Sequence, residues 1–393
     1  MIIPGFRFAA VAAGIKKAGG LDLALMVADA PATAAGVFTA NRVKAAPVLL
    51  SRQRLRGGKA QAILVNAGNA NAATGPQGLQ DAWETTRQVA ALLNIPERLV
   101  LPASTGVIGQ PLAVDKFTRA LPDLTARLHS GGFPEAAQAI MTTDTRPKTS
   151  VLKEKIAGRE ITLAGMAKGA GMIHPNMATM LSFLFTNAAV HPRILKKLLV
   201  AALPVSFNRI TIDGDTSTND TVLLLASGKA GNPLIHEPGP AMLELGAMLN
   251  EVMGDLASQV VADGEGARHV YRIEVNGAAS PAEALKAAQT VALSPLVKTA
   301  MAGADVNWGR IMAALGRSGA RFDPEMVDIA YGDHLVAQKG QGRGPDAEAL
   351  AQKVIRSGSF IVRIHLHAGD FSDYYDTCDL TEDYIRINAS YRS

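Results

Sequence analysis

The sequence predicts an α/β fold in which large mixed β-sheets are layered with helices. Strand-like and helix-like segments alternate along all 393 residues, and no repeat or long linker separates them. Apolar residues make up 48% of the chain, enough for the core of one large domain or two intimately packed units. Because aromatics are only 5%, that core should consist mainly of small and aliphatic side chains.

Short apolar runs predict the strands. Residues 60–65 (AQAILV) lead into a turn-rich stretch, and residues 209–212 and 222–226 flank a polar loop. Residues 326–331 and 359–367 alternate apolar and polar side chains, as half-buried strands do.

Helical periodicity predicts two helices, and a capping signal predicts a third. Residues 79–93 and 241–260 carry apolar side chains at helical spacing. A third helix begins at Pro281, where Ser280 as N-cap and Glu283 at the third position predict a capping box. The predicted buried faces are Leu79, Trp83, Thr86, Val89 and Leu93 in the first helix, and Met242, Leu245, Leu249, Val252, Leu256 and Val260 in the second.

The overall composition excludes several classes of protein. A net charge of +4 without a basic run does not indicate a nucleic-acid partner. No apolar stretch approaches the roughly 18 residues of a membrane span, and nothing at the N-terminus has the pattern of a signal peptide. With Cys378 as the single cysteine, we expect a cytoplasmic protein without disulfides or a membrane partner.

No pattern indicates a metal or an organic cofactor. His365 and His367 could share a strand face, but no third ligand has convincing spacing, so paired surface histidines are favoured. The loop 213–220 contains Asp-x-Asp without the full calcium-loop pattern and is better interpreted as a polar loop near an active site. Neither a Walker A sequence nor a GxGxxG after a strand is present.

The most unusual segment is residues 168–181, KGAGMIHPNMATML, where a glycine-rich turn passes into an apolar run at Ala178-Thr179. A threonine hydroxyl is a poor nucleophile and needs a nearby base. If Thr179 became the first residue of a chain, its own α-amine, with a pKa of about 8, could be that base. The same hydroxyl could make the cut by attacking the Ala178 carbonyl. By itself, the pattern also fits a threonine that merely begins a strand.

Many ordered blocks of this chain resemble the ornithine acetyltransferase family of arginine biosynthesis, also called the bifunctional glutamate N-acetyltransferase family. The similarity extends over essentially the whole chain. It implies the α/β/β/α layering of self-processing aminopeptidase-like enzymes. Besides 168–181, the similar blocks are residues 4–16, 35–47, 66–75, 104–109, 140–145, 207–221, 263–266, 294–298, 307–310, 379–384 and 387–393.

The resemblance implies a role for each matching residue. Thr179 would be the nucleophile, and cleavage between Ala178 and Thr179 would free its amine. Thr105 and Gly106 would form the oxyanion hole. The substrate contacts it implies are Thr143 (with Thr142 kept open), Lys168, Thr179, Glu265, Asn388 and Ser393. Lys168 would supply a cation for a carboxylate, and Glu265 an anion for an ammonium.

The implied reaction is a ping-pong transfer of acetyl from N2-acetylornithine to glutamate, without a cofactor. The implied assembly has an alpha chain, 1–178, and a beta chain, 179–393, intimately packed and paired into a heterotetramer. Acetyl-CoA as a further donor is left open. The rival functions are a hydrolase of the same architecture, in which water takes the acyl group, and a non-catalytic amino-acid-binding regulator. The presence of Thr179, Thr105 and Gly106 disfavours the regulator.

Overall fold

The computed structural model describes residues 1–174 and 180–389, which form two compact units. The first unit consists of Met1–Gly169, His174–Asn208 and Thr216–Val260. The second consists of Ala170–Ile173, Arg209–Asp215 and Val261–Ser393. Each unit contains a mixed sheet covered by helices, which confirms the predicted fold class.

The first unit is built on an eight-stranded sheet. Its strands are β1 (Phe6–Val11), β2 (Leu23–Phe38), β3 (Lys59–Asn69), β4 (Val100–Val107), β5 (Lys148–Ile156), β6 (Arg159–Lys168), β7 (Leu181–Thr186) and β9 (Thr221–Ala226). They lie in the order β4-β3-β2-β9-β7-β6-β5, with β1 antiparallel to the first part of β2. Strand β7 is therefore an interior strand, antiparallel to β6 and parallel to β9.

Helices cover both faces of this sheet. Successive side chains of its strands point to opposite faces and both sets are apolar, so each face needs a covering layer. The helices are α1 (Ala46–Arg54), α2 (Gly75–Leu93), α3 (Val114–Ala126), α4 (Phe133–Ala139), α5 (Pro192–Ala202) and α6 (Pro240–Ala262), the last ending at the start of the second unit. Leu23 and Leu25 pack on one face with Phe117 of α3. Met26 packs on the other face with Phe133 of α4 and Phe183.

The periodicity prediction was correct for α6 and partly wrong for α2. All six predicted positions of α6 are buried. In α2, Leu79 and Trp83 are exposed, and the buried face is made of small or polar residues such as Ala82, Thr85 and Ala90. The hydroxyl of Thr85 can be buried because it donates to the Asp81 carbonyl 3.0 Å away.

The second unit contains a seven-stranded sheet in the order β13-β12-β11-β14-β10-β15-β8. Its strands are β8 (Ile210–Thr211), β10 (Val270–Ala278), β11 (Asp328–Tyr331), β12 (His334–Gln338), β13 (Gln341–Gly342), β14 (Ser359–His365) and β15 (Phe371–Cys378). Its helices are α7 (Pro281–Ala292), α8 (Pro295–Ala302), α9 (Trp308–Gly316), α10 (Pro345–Ile355) and α11 (Glu382–Ala389). Ala284, Ala287 and Ala288 of α7 join the same core cluster as Ile273 and Val275 of β10.

Three local predictions in the second unit needed correction. Ser280 caps α7 by accepting from the Glu283 N–H at 3.3 Å, but the Glu283 carboxylate pairs with Arg321 at 2.8 Å rather than closing the capping box. The predicted strand over residues 326–331 begins only at Asp328, because a 3-10 turn occupies Pro324–Met326. The strand over 359–367 ends at His365.

Candidate active site

Thr105 and Gly106 lie near the end of β4, where β4 runs parallel to β3. At Gly106 the backbone has a φ of 132°, outside the range that side chains tolerate. A Cβ there would lie 2.3 Å from the carbonyl carbon of Gly68 and 2.5 Å from the Asn69 nitrogen. Only glycine therefore fits this position, one of the two predicted for the oxyanion hole.

The side chain of Thr105 is nearly buried, with 9% exposed. Its Oγ1 accepts a hydrogen bond from the Nζ of Lys168 at 3.1 Å. Lys168 is the last residue of β6 and pairs with Leu181, the first residue of β7. Leu181 follows Thr179 by two positions in the sequence, whereas Ala178 and Thr179 themselves lie outside the described residues.

Asp144 is a fully buried carboxylate beside these residues that the sequence analysis did not assign. Its oxygens accept from the Lys148 ammonium at 2.6 Å and from the backbone N–H groups of Gly169 at 2.7 Å and Thr142 at 2.9 Å. Burial alone would raise the pKa of Asp144, but the charges of Lys168 and Lys148 and the hydrogen bonds from Lys148 and Thr142 outweigh it and lower the pKa to about 2. We call Thr105, Asp144, Lys148 and Lys168 the Thr105 cluster.

Buried amides hold the strand that carries Thr105. The Nδ2 of Asn219 donates to the Ala70 carbonyl at 2.6 Å and to the Ser104 carbonyl at 2.8 Å. The Ser104 hydroxyl donates to Asn66 Oδ1 at 2.6 Å. Because every partner is buried, this network fixes the backbone next to Thr105. Asn66 and Asn219 lay in the family-like blocks, but nothing local in the sequence indicated that they meet.

Thr142 and Thr143 precede Asp144 and are both half-buried. The Thr142 N–H is already engaged by the Asp144 carboxylate. Asp220, next to β9, is almost completely buried, and burial raises its pKa well above the usual range, although hydrogen bonds from Ser217 and Thr39 and the charge of Lys168 oppose this. The first unit thus gathers Thr105, Gly106 and Lys168 of the predicted site and adds two buried carboxylates.

The second unit brings together two other predicted residues, Glu265 and Asn388. The Nδ2 of Asn388, on α11, donates to Glu265 Oε2 at 2.7 Å. The Glu265 N–H donates to the Ala170 carbonyl at 2.8 Å, and a Cβ on Gly171 would lie 2.4 Å from the Glu265 carboxylate. We call Ala170, Gly171, Glu265 and Asn388 the Glu265 cluster.

Glu265 is nearly buried, with 8% exposed. Among the described residues of the second unit, no lysine or arginine forms an ion pair with it. A buried carboxylate that has only a neutral donor can accept a cation from a ligand. Ser393, the remaining predicted contact, lies outside the described residues.

The described part of the chain holds no candidate metal centre. Within residues 1–174 and 180–389, no group of three or more His, Cys, Asp or Glu side chains is arranged to hold an ion. His365 and His367 are exposed, their ring centroids lie 3.9 Å apart, and His367 contacts Asp328 at 2.9 Å. Over the same residues, no helix has both the length and the apolar character to cross a bilayer.

The sequence model of the ArgJ family matches residues 7–393. The "arginine biosynthesis bifunctional protein ArgJ" of Geobacter sulfurreducens is 49% identical over the full length of both chains, and that of Desulfotalea psychrophila is 48% identical, also over both full lengths. The chain belongs to the ArgJ family.

A solved structure of an ArgJ protein from Bacillus halodurans is similar as well, at 41% identity and a TM-score of 0.51. The match covers 54% of this chain and 99% of the solved chain. Membership of the ArgJ family makes this protein an acyltransferase of arginine biosynthesis. The resemblance inferred from the sequence blocks is thereby confirmed.

Proposed function

We propose that this ArgJ-family enzyme transfers acetyl from N2-acetylornithine to glutamate through an acetyl-Thr179 ester. The observation that carries the proposal is the buried contact between Lys168 and Thr105, beside a glycine that no other residue could replace. Strand β6, which presents Lys168, is paired with the strand that follows Thr179 in the sequence. This arrangement provides hydrogen-bond donors close to the start of β7.

In the first half-reaction, the Thr179 hydroxyl attacks the acetyl carbonyl and its own α-amine takes the proton. The proton passes to the leaving nitrogen, and ornithine departs. The Thr105 hydroxyl accepts from Lys168, so its own hydrogen can be donated to the tetrahedral oxyanion, together with a backbone N–H at Gly106. One such donor contributes on the order of 3 kcal/mol in the transition state.

In the second half-reaction, the glutamate amine attacks the acetyl-Thr179 ester and restores the enzyme. Lys168 binds the α-carboxylate that both substrates share. Glu265, which has no lysine or arginine partner among the described residues of its unit, binds the side-chain ammonium found only on the ornithine donor. The further proposed contacts are Thr143 (or Thr142), Asn388 and Ser393.

We further propose that the chain cuts itself between Ala178 and Thr179, giving chains 1–178 and 179–393 that assemble as a heterotetramer. The length of the solved Bacillus halodurans chain supports a mature chain of this size. It matches 54% of the present sequence, and residues 179–393 make up slightly more than half of it. The name "bifunctional" of the relatives supports acetyl-CoA as a second donor. We expect the enzyme in the cytoplasm.

Replacement of the nucleophile tests the proposal. Thr179→Ala removes the attacking hydroxyl, so it should abolish both cleavage and transfer, and the protein should run as one band near 41 kDa. Thr179→Ser keeps a hydroxyl and should retain part of each activity. Wild-type protein should give two bands, of which the one that does not begin at Met1 should start Thr-Met-Leu-Ser. Normal transfer by Thr179→Ala would require another nucleophile.

A single-turnover assay separates the transferase from the rival hydrolase. The enzyme is loaded with labelled N2-acetylornithine, and loss of label from the protein is followed with and without glutamate. We expect the label to persist without glutamate and to move to N-acetylglutamate when glutamate is added. Release of acetate at the same rate in both cases would instead support hydrolysis.

A further inference from the structure

Residues 170–173 lie a few positions before the proposed cleavage junction and form a turn held by one carboxylate. The Met172 N–H donates to Asp213 Oδ2 at 2.6 Å, and the Ile173 N–H donates to Asp213 Oδ1 at 3.0 Å. Two successive backbone N–H groups that converge on one anion form a nest, a recurrent anion-binding arrangement of the main chain. Here the bound anion is the protein's own Asp213 carboxylate rather than a ligand.

The carbonyl groups of the same turn are also engaged. The Ile173 carbonyl accepts from the Ile212 N–H at 2.8 Å and from the Thr211 hydroxyl at 2.9 Å. The Ala170 carbonyl accepts from the Glu265 N–H at 2.8 Å. The turn is therefore fixed from both sides, within the second unit.

Met172 has a left-handed backbone conformation that a residue with a side chain does not adopt without a constraint from its surroundings. Its φ is 55°, in the left-handed region that is unfavourable for residues with a Cβ. Its side chain is 41% exposed, so packing does not explain this conformation. Strain of this kind persists only where the surroundings over-determine it, and the carboxylate of Asp213 supplies that constraint.

The Asp213 carboxylate accepts four hydrogen bonds, which occupy its two oxygens. Besides the two N–H groups of the turn, it accepts from the Asp215 N–H at 3.2 Å and from the Tyr384 hydroxyl at 3.2 Å. With four donors around its two oxygens, the carboxylate is better suited to fixing the backbone than to transferring protons.

We propose that Asp213 is a positioning residue for self-cleavage, which holds residues 170–173 in the turn that directs the chain toward the Ala178–Thr179 junction. The inference rests on the proposed function, since it presupposes cleavage there. An intramolecular attack depends steeply on how the attacked carbonyl is presented, and fixed flanking residues reduce the conformations that must be searched. If the nest is lost, Met172 should relax to its preferred backbone region and redirect the chain.

The main test is Asp213→Asn, which keeps the side-chain size but places an amide donor against the N–H groups. Freshly synthesised precursor is followed on denaturing gels as the 41 kDa band disappears. We expect cleavage to slow by about 10- to 100-fold, the effect of one lost charged hydrogen bond on a rate. Asp215→Asn is the matched control, because it removes one exposed charge from the same loop and should cleave at the wild-type rate.

The transfer reaction distinguishes positioning from general structural damage. Once Asp213→Asn has finished cleaving, its kcat for acetyl transfer and its KM for glutamate should lie within about threefold of wild type. The KM for N2-acetylornithine is not used as a criterion, because Ala170 and Gly171 of the same turn contact Glu265. Parallel losses in cleavage and transfer would reduce Asp213 to a structural residue. Cleavage of Asp213→Asn at the wild-type rate would also overturn the proposal.

Met172 offers a second test that leaves Asp213 intact. Met172→Gly accepts the left-handed φ without strain and should cleave at least as fast as wild type. Met172→Ile is branched at Cβ, resists this φ and should cleave more slowly. Equal rates for the two variants would contradict the proposal. If wild type itself never yields two chains, the proposed function fails, whereas cleavage of wild type with unaffected variants refutes only this inference.

Discussion

The two units carry their charged site residues in opposite ways. In the Thr105 cluster, two lysines and the Asp144 carboxylate lie among neighbouring strand ends, and the Asp144–Lys148 pair is fully buried. In the Glu265 cluster, the carboxylate accepts from the Asn388 amide and lies against Gly171, and the Glu265 N–H donates to the Ala170 carbonyl. Among the described residues of its unit, no lysine or arginine pairs with it. In the first cluster the buried carboxylate is paired with a lysine, whereas in the second the buried carboxylate has no cationic partner among the described residues of its own unit.

The difference indicates which residues maintain the fold and which select the substrate. A buried ion pair with further hydrogen bonds mainly fixes local geometry, and removal of one partner leaves an uncompensated charge. A buried carboxylate with only neutral donors contributes little to its own unit but can recognise a cation strongly. Substitutions in the Thr105 cluster should therefore alter stability as well as catalysis, whereas substitutions at Glu265 should mainly alter substrate preference.

The largest effect should be the loss of stability in Asp144→Asn, because this substitution leaves the buried Lys148 ammonium without its carboxylate. We expect a loss of about 3–5 kcal/mol in the free energy of unfolding, measured by chemical denaturation. Asp123→Asn removes an exposed carboxylate paired with Arg127 and should change stability by less than about 1 kcal/mol. Equal effects of the two substitutions would show that burial of the Asp144–Lys148 pair does not contribute to stability as proposed.

The pH dependence of wild-type stability provides an independent check on Asp144. Its pKa is about 2 in the folded protein, against about 3.9 for an unperturbed aspartate. A lowered carboxyl pKa stabilises the fold above the unfolded value and loses that contribution as the pH falls. Stability should therefore decline between about pH 4 and pH 2, and Asp144→Asn should lose this part of the decline.

The next largest effect should be that of Glu265→Gln on KM, and it should be confined to one substrate. Loss of a charged partner for the ornithine ammonium should raise the KM for N2-acetylornithine by about 10- to 100-fold and change that for glutamate little. Lys168→Met, which removes the cation proposed for the shared carboxylate, should weaken both substrates together. If Glu265→Gln penalised both equally, the carboxylate would have another role, such as support of the Thr179 amine.

The smallest effect should separate the two threonines that the sequence could not distinguish. Thr143→Val removes a hydroxyl proposed to contact substrate and should raise KM by about five- to tenfold, the effect of one neutral hydrogen bond. Thr142→Val keeps the backbone N–H that serves Asp144 and should be close to wild type. The reverse ranking would assign the contact to Thr142.

Sequence periodicity predicted the buried face of a helix correctly where that face is regularly apolar. All six apolar positions of α6 are buried as predicted, whereas α2 buries alanines and threonines and exposes Leu79 and Trp83. Sequence hydrophobicity could not find that face, because the buried hydroxyls are satisfied by carbonyls one turn earlier in the helix.

The sequence identified several residues of the candidate site but not which of them contact one another. Thr105, Lys168, Glu265 and Asn388 came from the family-like blocks, and the structure brings them together in two pairs, Thr105 with Lys168 and Glu265 with Asn388. Asp144 was missed, since its importance depends on Lys168, which approaches it only through the pairing of β5 with β6. Asp213 was missed for the same reason, because its partners lie some 40 positions earlier.

The interior position of β7 in its sheet has a consequence for the proposed cleavage, because it sets how a cut protein could be reassembled. After a cut at 178/179, β6 belongs to one polypeptide and β7 and β9 belong to the other, while β2 on the far side of β9 belongs to the first again. The two polypeptides are thus interleaved within a single sheet and cannot separate without unfolding it. Refolding of the denatured mature enzyme must then be a bimolecular encounter, slower at low protein concentration, whereas the uncut chain folds at a rate independent of concentration.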